Sequence, residues 1–144
     1  MHQVIAIGSD HAGFPLKEQL LFWLPELGYS VVDHGCYSSD SVDYPDYGKK
    51  VASTVAEGQA ELGIVICGSG NGIAIAANKI KGIRCALCWN PEIASLARRH
   101  NDANVLALPG RFVTEEEARN IVTSFLDATF EGGRHQTRID KIEE

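Results

Sequence analysis

The sequence has no hydrophobic run long enough to cross a membrane, because polar or charged residues interrupt every apolar stretch short of the roughly 18 residues that a spanning helix needs. The first residues, Met1 to Ile7, lack a basic stretch followed by a longer apolar segment and a small-residue cleavage site, and so predict a first strand rather than an export signal. Cysteine is scarce: Cys36, Cys67, Cys85 and Cys88 are too few in 144 residues for a disulfide-built scaffold. These absences together predict a soluble cytoplasmic protein with reduced thiols. Positive charge is also in deficit. Thirteen Lys and Arg against nineteen Asp and Glu leave a formal net charge of −6, a sign that repels nucleic-acid backbones and anionic membranes. A small anion remains a suitable ligand wherever a few cations gather. Internal repeats, low-complexity tracts and interdomain linkers are missing too, so residues 1–144 are expected to form one domain.

Short β-branched runs alternate with longer amphipathic ones, each pair divided by a turn signal. Strands are expected from Val4 to Gly8, Ser30 to Asp33, Leu62 to Cys67, Ile83 to Trp89 and Asn104 to Leu108. The last three are apolar enough to be buried on both faces. A helix entered at Pro15 should carry Leu16, Leu20, Leu21, Leu24 and Leu27 on one stripe and close at Gly28, with Pro25 straining its last turn. Further helices follow Tyr44-Pro45, carry Ile73 to Ala77 after the third strand, and start at Pro91, so that each strand is followed by a helix. Strands that alternate with helices require crossover connections, so the pattern predicts a three-layer α/β/α domain around a five-stranded, mostly parallel sheet. Residues 128–144 follow that core as a C-terminal helical arm.

Ligands in open α/β sheets collect at the carboxyl ends of the strands. The third strand ends in Cys67-Gly68-Ser69-Gly70-Asn71-Gly72, whose glycines allow a tight turn and bring backbone N–H groups close to an anion. The spacing is neither the dinucleotide fingerprint nor a nucleotide P-loop. A tight turn with no ligand is the alternative. Cys67 is either a small buried hydrophobe or a thiol poised as base or nucleophile beside that loop. Cys85 and Cys88, three apart on a strand, point to opposite faces and read as core, as does Cys36. Asp10 and His11 follow the first strand; Asp10 either caps the next helix or, with His11, handles substrate hydroxyls and a phosphate. Arg98, Arg99 and His100, followed by Asn101, sit near a helix end, where cations complement the helix dipole. Arg134 and Arg138, four apart, share a face if helical and suit either a phosphate or a solvated basic patch.

Five ordered segments resemble the B-type ribose 5-phosphate isomerases, within the sugar-phosphate isomerases that also include allose 6-phosphate and galactose 6-phosphate enzymes. They are Gly8-Ser9-Asp10-His11-Ala12-Gly13-Phe14; Asp43-Tyr44-Pro45; Cys67 to Ile73 with Ala76-Ala77-Asn78-Lys79; His100-Asn101-Asp102-Ala103-Asn104; and Glu131-Gly132-Gly133-Arg134-His135-Gln136 with Arg138. The resemblance implies a Rossmann-like fold, a homodimer or tetramer with active sites at the subunit interface, a sugar phosphate as substrate, and neither metal nor organic cofactor.

It also implies roles. Cys67 would be the base moving a proton between C2 and C1 through an enediolate. The amides of Gly68 to Gly72, Gly70 and Asn71 included, would stabilise the enediolate oxygen with the Ser69 hydroxyl. His100 would open the sugar ring, and Asp10 and Asn101 would hold hydroxyls. His11, Arg111, Arg134 and Arg138 would bind the phosphate, and Tyr44 would line the pocket. Some relatives place a carboxylate base where this chain has Ile73, which leaves Cys67 as the base here; Ser69 stands where many members have Thr. Three functions remain on these grounds: a ribose 5-phosphate isomerase, an isomerase of a six-carbon sugar phosphate, and a phosphosugar-binding module without turnover.

Overall fold

The computed structural model describes residues 3–144; Met1 and His2, assigned to the first strand from sequence, lie outside the described residues. Twelve segments alternate: β1 (Val4–Ser9), α1 (Phe14–Trp23) with a 3-10 turn (Leu24–Leu27), β2 (Ser30–Asp33), α2 (Tyr44–Ala56), β3 (Leu62–Cys67), α3 (Asn71–Ala77), β4 (Cys85–Leu87), α4 (Pro91–Asn101), β5 (Val105–Pro109), α5 (Glu115–Asp127) and α6 (Arg134–Ile142). The strands form one sheet in the order β2-β1-β3-β5-β4, and every pairing is parallel. The chain leaves β1 toward β2 on one side and continues through β3 on the other. The strand order therefore reverses between β1 and β3, where a ligand crevice forms.

Side chains alternate across the strands and build a core on each face. Ile5, Ile7, Ile64, Ile66, Leu106 and Leu108 pack with Leu16 and Leu20 of α1, Ala94 and Ala97 of α4, and Ile121 and Phe125 of α5. Ala6, Val65, Cys67 and Ala107 face Val51 and Val55 of α2 and Ile73 and Ala77 of α3. Full burial of each large aliphatic or aromatic side chain stabilises the fold by about 1.5–3 kcal/mol. Cys85 and Cys88 contact opposite clusters, as their spacing requires. Burial raises both thiol pKa values, that of Cys88 to about 12, which suits inert core residues.

Two expectations need correction. Leu27 does not join the apolar stripe of α1 and is 47% exposed. Pro25 has no N–H for the next helical bond, so the chain tightens into the 3-10 turn and closes at Gly28 (φ 94°), rotating Leu27 outward. The Ile83–Trp89 run forms only the three-residue β4, half-buried at the sheet edge. At the open edge Asn78 supplies partners that a further strand would have provided, accepting from the Cys85 amide at 2.8 Å and donating to its carbonyl at 2.9 Å. On the β5 side Asn104 accepts from the Arg84 amide at 2.8 Å.

Lys17, absent from the expected core and site, is fully buried on α1. Its ammonium donates to both oxygens of Asp33 at 2.9 and 3.0 Å and to Glu18 at 3.1 Å. Asp33 also accepts from the Gly35 amide at 2.9 Å, so the pair anchors the long segment between β2 and α2.

Candidate active site

A cavity of about 520 Å³ opens at the carboxyl ends of β1, β3 and β5, where the strand order reverses. It is lined by Asp10, His11 and Ala12 after β1, Tyr44 at the start of α2, Cys67, Gly68, Ser69 and Gly72 around the end of β3, and Arg111 and Phe112 after β5. A larger groove of about 660 Å³ lies along α2 beside His34, Lys49 and Lys50, but neither a cysteine nor a glycine loop lines it.

Backbone contacts draw the loops around the cavity together. The Asp10 amide donates to the Ile66 carbonyl at 3.2 Å, the Gly110 amide to Cys67 at 2.9 Å, and the Arg111 amide to Gly68 at 3.0 Å. Asp10 is buried and accepts from the Gly13 amide at 3.0 Å. This closes the turn ahead of α1 without capping it, since Gly13 itself is the N-cap residue. One oxygen of Asp10 is thereby occupied, and the other is available to a hydroxyl. His11 accepts from the Val42 amide through Nδ1 at 3.2 Å, so the neutral ring carries its proton on Nε2 as a donor.

The glycines provide clearance. A Cβ on Gly68 would stand 3.2 Å from the Arg111 guanidinium, and one on Gly72 would stand 2.5 Å from the Tyr44 ring. Gly70 turns at φ 79° beneath Leu87 and Leu108 and does not line the cavity, nor does Asn71. The Asn71 amide donates to Ser69 Oγ at 3.2 Å, so this N–H is spent within the loop while the Ser69 hydroxyl keeps its own proton to donate. The buried Cys67 thiol sits between that loop and the Asp10 turn.

His100, Asn101, Arg134 and Arg138 do not line this cavity. His100 and Asn101 occupy the last turn of α4, and the two arginines are exposed on α6. The His100 ring stacks on that of His135 with centroids 4.3 Å apart and planes 12° from parallel. Glu131, which belongs to the fifth motif but to which the resemblance assigns no role, places Oε1 3.7 Å from His100 Nε2 and 3.8 Å from His135 Nε2. Arg99 donates to its other oxygen at 2.7 Å and holds the Glu131 carboxyl below the usual carboxylate range. Partial burial, followed by the charges of His100 and Arg134, lowers the His135 pKa. His100, Glu131 and His135 offer three ligand atoms within 4.8 Å of one another. Nearly parallel rings, however, direct their lone pairs side by side rather than toward one point, and Arg99 already engages the carboxylate. The geometry fits an imidazole and ion-pair cluster better than a metal centre.

The sequence profile of the Ribose/Galactose Isomerase family matches residues 5–142. The chain is 51% identical over 138 residues to ribose-5-phosphate isomerase B of Escherichia coli K12, covering 96% of this chain and 93% of that protein. A crystal structure of a ribose 5-phosphate isomerase from Thermotoga maritima superposes with a TM-score of 0.97 at 53% identity, covering 99% of both chains. The ribose-5-phosphate isomerase B of Mycoplasma genitalium with bound ribulose-5-phosphate superposes with a TM-score of 0.93 at 48% identity, covering 97% of this chain and 93% of that one. No helix among the described residues is long and apolar enough to cross a membrane. A profile match across almost the whole sequence, together with close relatives of the same length, establishes that this chain belongs to the ribose/galactose isomerase family.

Proposed function

We propose that the chain is an aldose–ketose isomerase interconverting D-ribose 5-phosphate and D-ribulose 5-phosphate. The observation that carries this reading is the convergence of a thiol, a carboxylate, an imidazole donor and a guanidinium on one cavity at the strand-order reversal: Cys67, Asp10, His11 and Arg111. The relative from Mycoplasma genitalium that holds ribulose-5-phosphate supports the substrate class.

In the open-chain aldose, Cys67 as thiolate takes the C2 proton. The electron pair moves into a C1–C2 double bond, giving an enediolate, and the proton returns to C1 while Asp10 assists transfer between the O2 and O1 hydroxyls. The Ser69 hydroxyl and the amides of the glycine loop stabilise the enediolate oxygen; one such preorganised donor is worth about 3 kcal/mol. The fold assigns the Asn71 amide to the loop itself, so its share of this work falls to its neighbours. His11 and Arg111 bind the phosphate, and Tyr44 walls the sugar.

His100 opens the furanose ring, Asn101 holds a hydroxyl, and Arg134 and Arg138 complete the phosphate site. Because these four lie away from their own chain's Cys67 cavity, they serve the cavity of a second copy, in a homodimer or a pair of such dimers. Residues 1–144 then act as one domain whose arm, 128–144, joins the dimer contact and the phosphate site. The four free cysteines suit a reducing, cytoplasmic setting, and the chemistry needs neither metal nor organic cofactor.

The test is isomerisation of ribose 5-phosphate by the purified protein, beside Cys67→Ala and with allose 6-phosphate and galactose 6-phosphate as competing substrates. Preference for the pentose phosphate, lost in the variant, supports substrate and base together. Preference for a hexose phosphate moves the chain to that branch of the family, and saturable binding without turnover removes the catalytic reading.

A further inference from the structure

We infer that Arg84, a residue outside the substrate cavity, positions the ring-opening end of the site by tying the last turn of α4 to the end of α6. This rests on the role proposed above for His100. A helix leaves its last carbonyls without intrahelical donors. In α4 these carbonyls belong to the turn that carries His100 and Asn101, so whatever holds them fixes both side chains. Arg84 Nε donates to the Asn101 carbonyl at 2.9 Å, and Nη2 donates to the Asp102 carbonyl at 2.9 Å. The chain reverses there, with Asp102 in the left-handed region at φ 46°. Arg98 secures the same corner from within α4, donating to the Asp102 carboxylate at 3.0 Å.

The remaining arm of the Arg84 fork reaches α6. Nη1 donates to Glu143 at 2.7 Å, and the Arg84 side chain is only 18% exposed. At the other end of α6 the Arg99–Glu131 pair makes a second tie to α4. Ile139 and His135 bury the face between these two ties. One rigid, planar guanidinium therefore holds two carbonyls and a carboxylate, and sets the His100–Asn101 turn against the helix that carries Arg134 and Arg138. A lysine ammonium, with its single nitrogen, cannot span that set.

The experiment uses two substrates. Ribose 5-phosphate must be opened; 4-deoxyribose 5-phosphate lacks the O4 hydroxyl that closes the furanose ring and arrives open. Steady-state kinetics are measured on both for wild type, His100→Asn, Arg84→Lys and Glu143→Gln. His100→Asn should lose about 100-fold in kcat/KM on ribose 5-phosphate and little on the deoxy sugar. Arg84→Lys should lose about tenfold more on ribose 5-phosphate than on the deoxy sugar, because misplacement of a catalytic group costs rate only in the step it serves, while the loosened α6 tie that it shares with Glu143→Gln affects both substrates alike. Glu143→Gln, which keeps the carbonyl contacts, should raise KM about threefold on both substrates at unchanged kcat, through loosened α6 arginines. Equal losses on both substrates for Arg84→Lys, or no loss, overturn the inference, as does an unchanged KM for Glu143→Gln if Arg84→Lys fails to fold. A His100→Asn variant that does not discriminate overturns instead the role assigned to His100.

Discussion

The Val42 amide donates to Nδ1 of His11 at 3.2 Å, linking the long segment after β2 to the turn after β1. A proton cannot occupy the nitrogen that accepts this bond, so neutral His11 presents Nε2–H as a donor. With a phosphate in the cavity, that donor makes a charge-assisted hydrogen bond. Such bonds contribute about 1.5–3 kcal/mol, or roughly 10- to 100-fold in affinity. His11→Ala should therefore raise KM for ribose 5-phosphate by about tenfold or more while kcat changes little. A larger fall in kcat than rise in KM would place His11 in the chemical step instead.

The same segment is anchored at its other end by Lys17 and Asp33. Removing one partner of a buried ion pair leaves the other charge uncompensated, at a usual cost of 3–5 kcal/mol. The Asp33 side chain keeps 27% of its exposure, so water relieves part of that cost. Lys17→Met should lower unfolding free energy in urea by about 3 kcal/mol, and the double variant with Asp33→Asn should recover part of the loss. Since Asp33 also accepts from the Gly35 amide, the single variant should raise KM through the loosened segment that reaches His11.

How far the sequence spoke for itself differs between these residues. The strand and helix order was legible because β-branched runs, Pro and Gly punctuate it, and the Asp10, Cys67 and glycine-loop cluster was legible because it follows strand ends. Lys17 was not: a lysine among leucines on a helix looks like a solvated face, and only the sheet brings Asp33, 16 residues on, to meet it. Leu27 misled for the opposite reason, since a heptad-like spacing assumes 3.6 residues per turn and Pro25 imposes a tighter turn. The division of the site residues follows from the resemblance, which implies active sites at a subunit interface, and not from the local sequence pattern. His100 and Arg134 belong by motif with Cys67, yet the fold sends α4 and α6 away from the β3 loop, and no local pattern encodes that distance.

His34 supplies a pH dependence. Thr54 donates its hydroxyl proton to the Lys50 carbonyl at 2.9 Å, so at the 2.8 Å contact with His34 it is the imidazole that donates. Burial first, and the Lys50 charge second, lower the His34 pKa. A histidine whose folded pKa lies below its unfolded value of about 6.5 binds fewer protons in the native state. Its contribution to stability is complete above that unfolded value and is lost as pH falls through it toward the folded pKa. His135 acts in the same direction. The melting temperature should drop between pH 7.5 and pH 5, and His34→Gln should flatten the lower part of that profile without abolishing it. A profile unchanged by the substitution would show that His34 titrates alike in folded and unfolded chains.

Gly72 separates function from stability. It lies in the first turn of α3, with a helical backbone that alanine adopts readily, and alanine is favoured over glycine in helices by about 1 kcal/mol. A Cβ at this position would stand 2.5 Å from the Tyr44 ring. That ring is the outer end of a flexible, 40% exposed side chain, so it can swing aside at low cost in stability. What it loses is its place as a wall of the cavity. Gly72→Ala should therefore melt at or above the wild-type temperature while KM rises severalfold. Gly13→Ala offers the contrast, because its Cβ would meet the Ile66 carbonyl at 2.5 Å and backbone atoms of a central strand cannot step aside. That variant should lose several degrees of melting temperature along with activity. If both variants lowered stability alike, the Tyr44 ring would have to be fixed as firmly as the β3 backbone, and its role as an adjustable wall would fall.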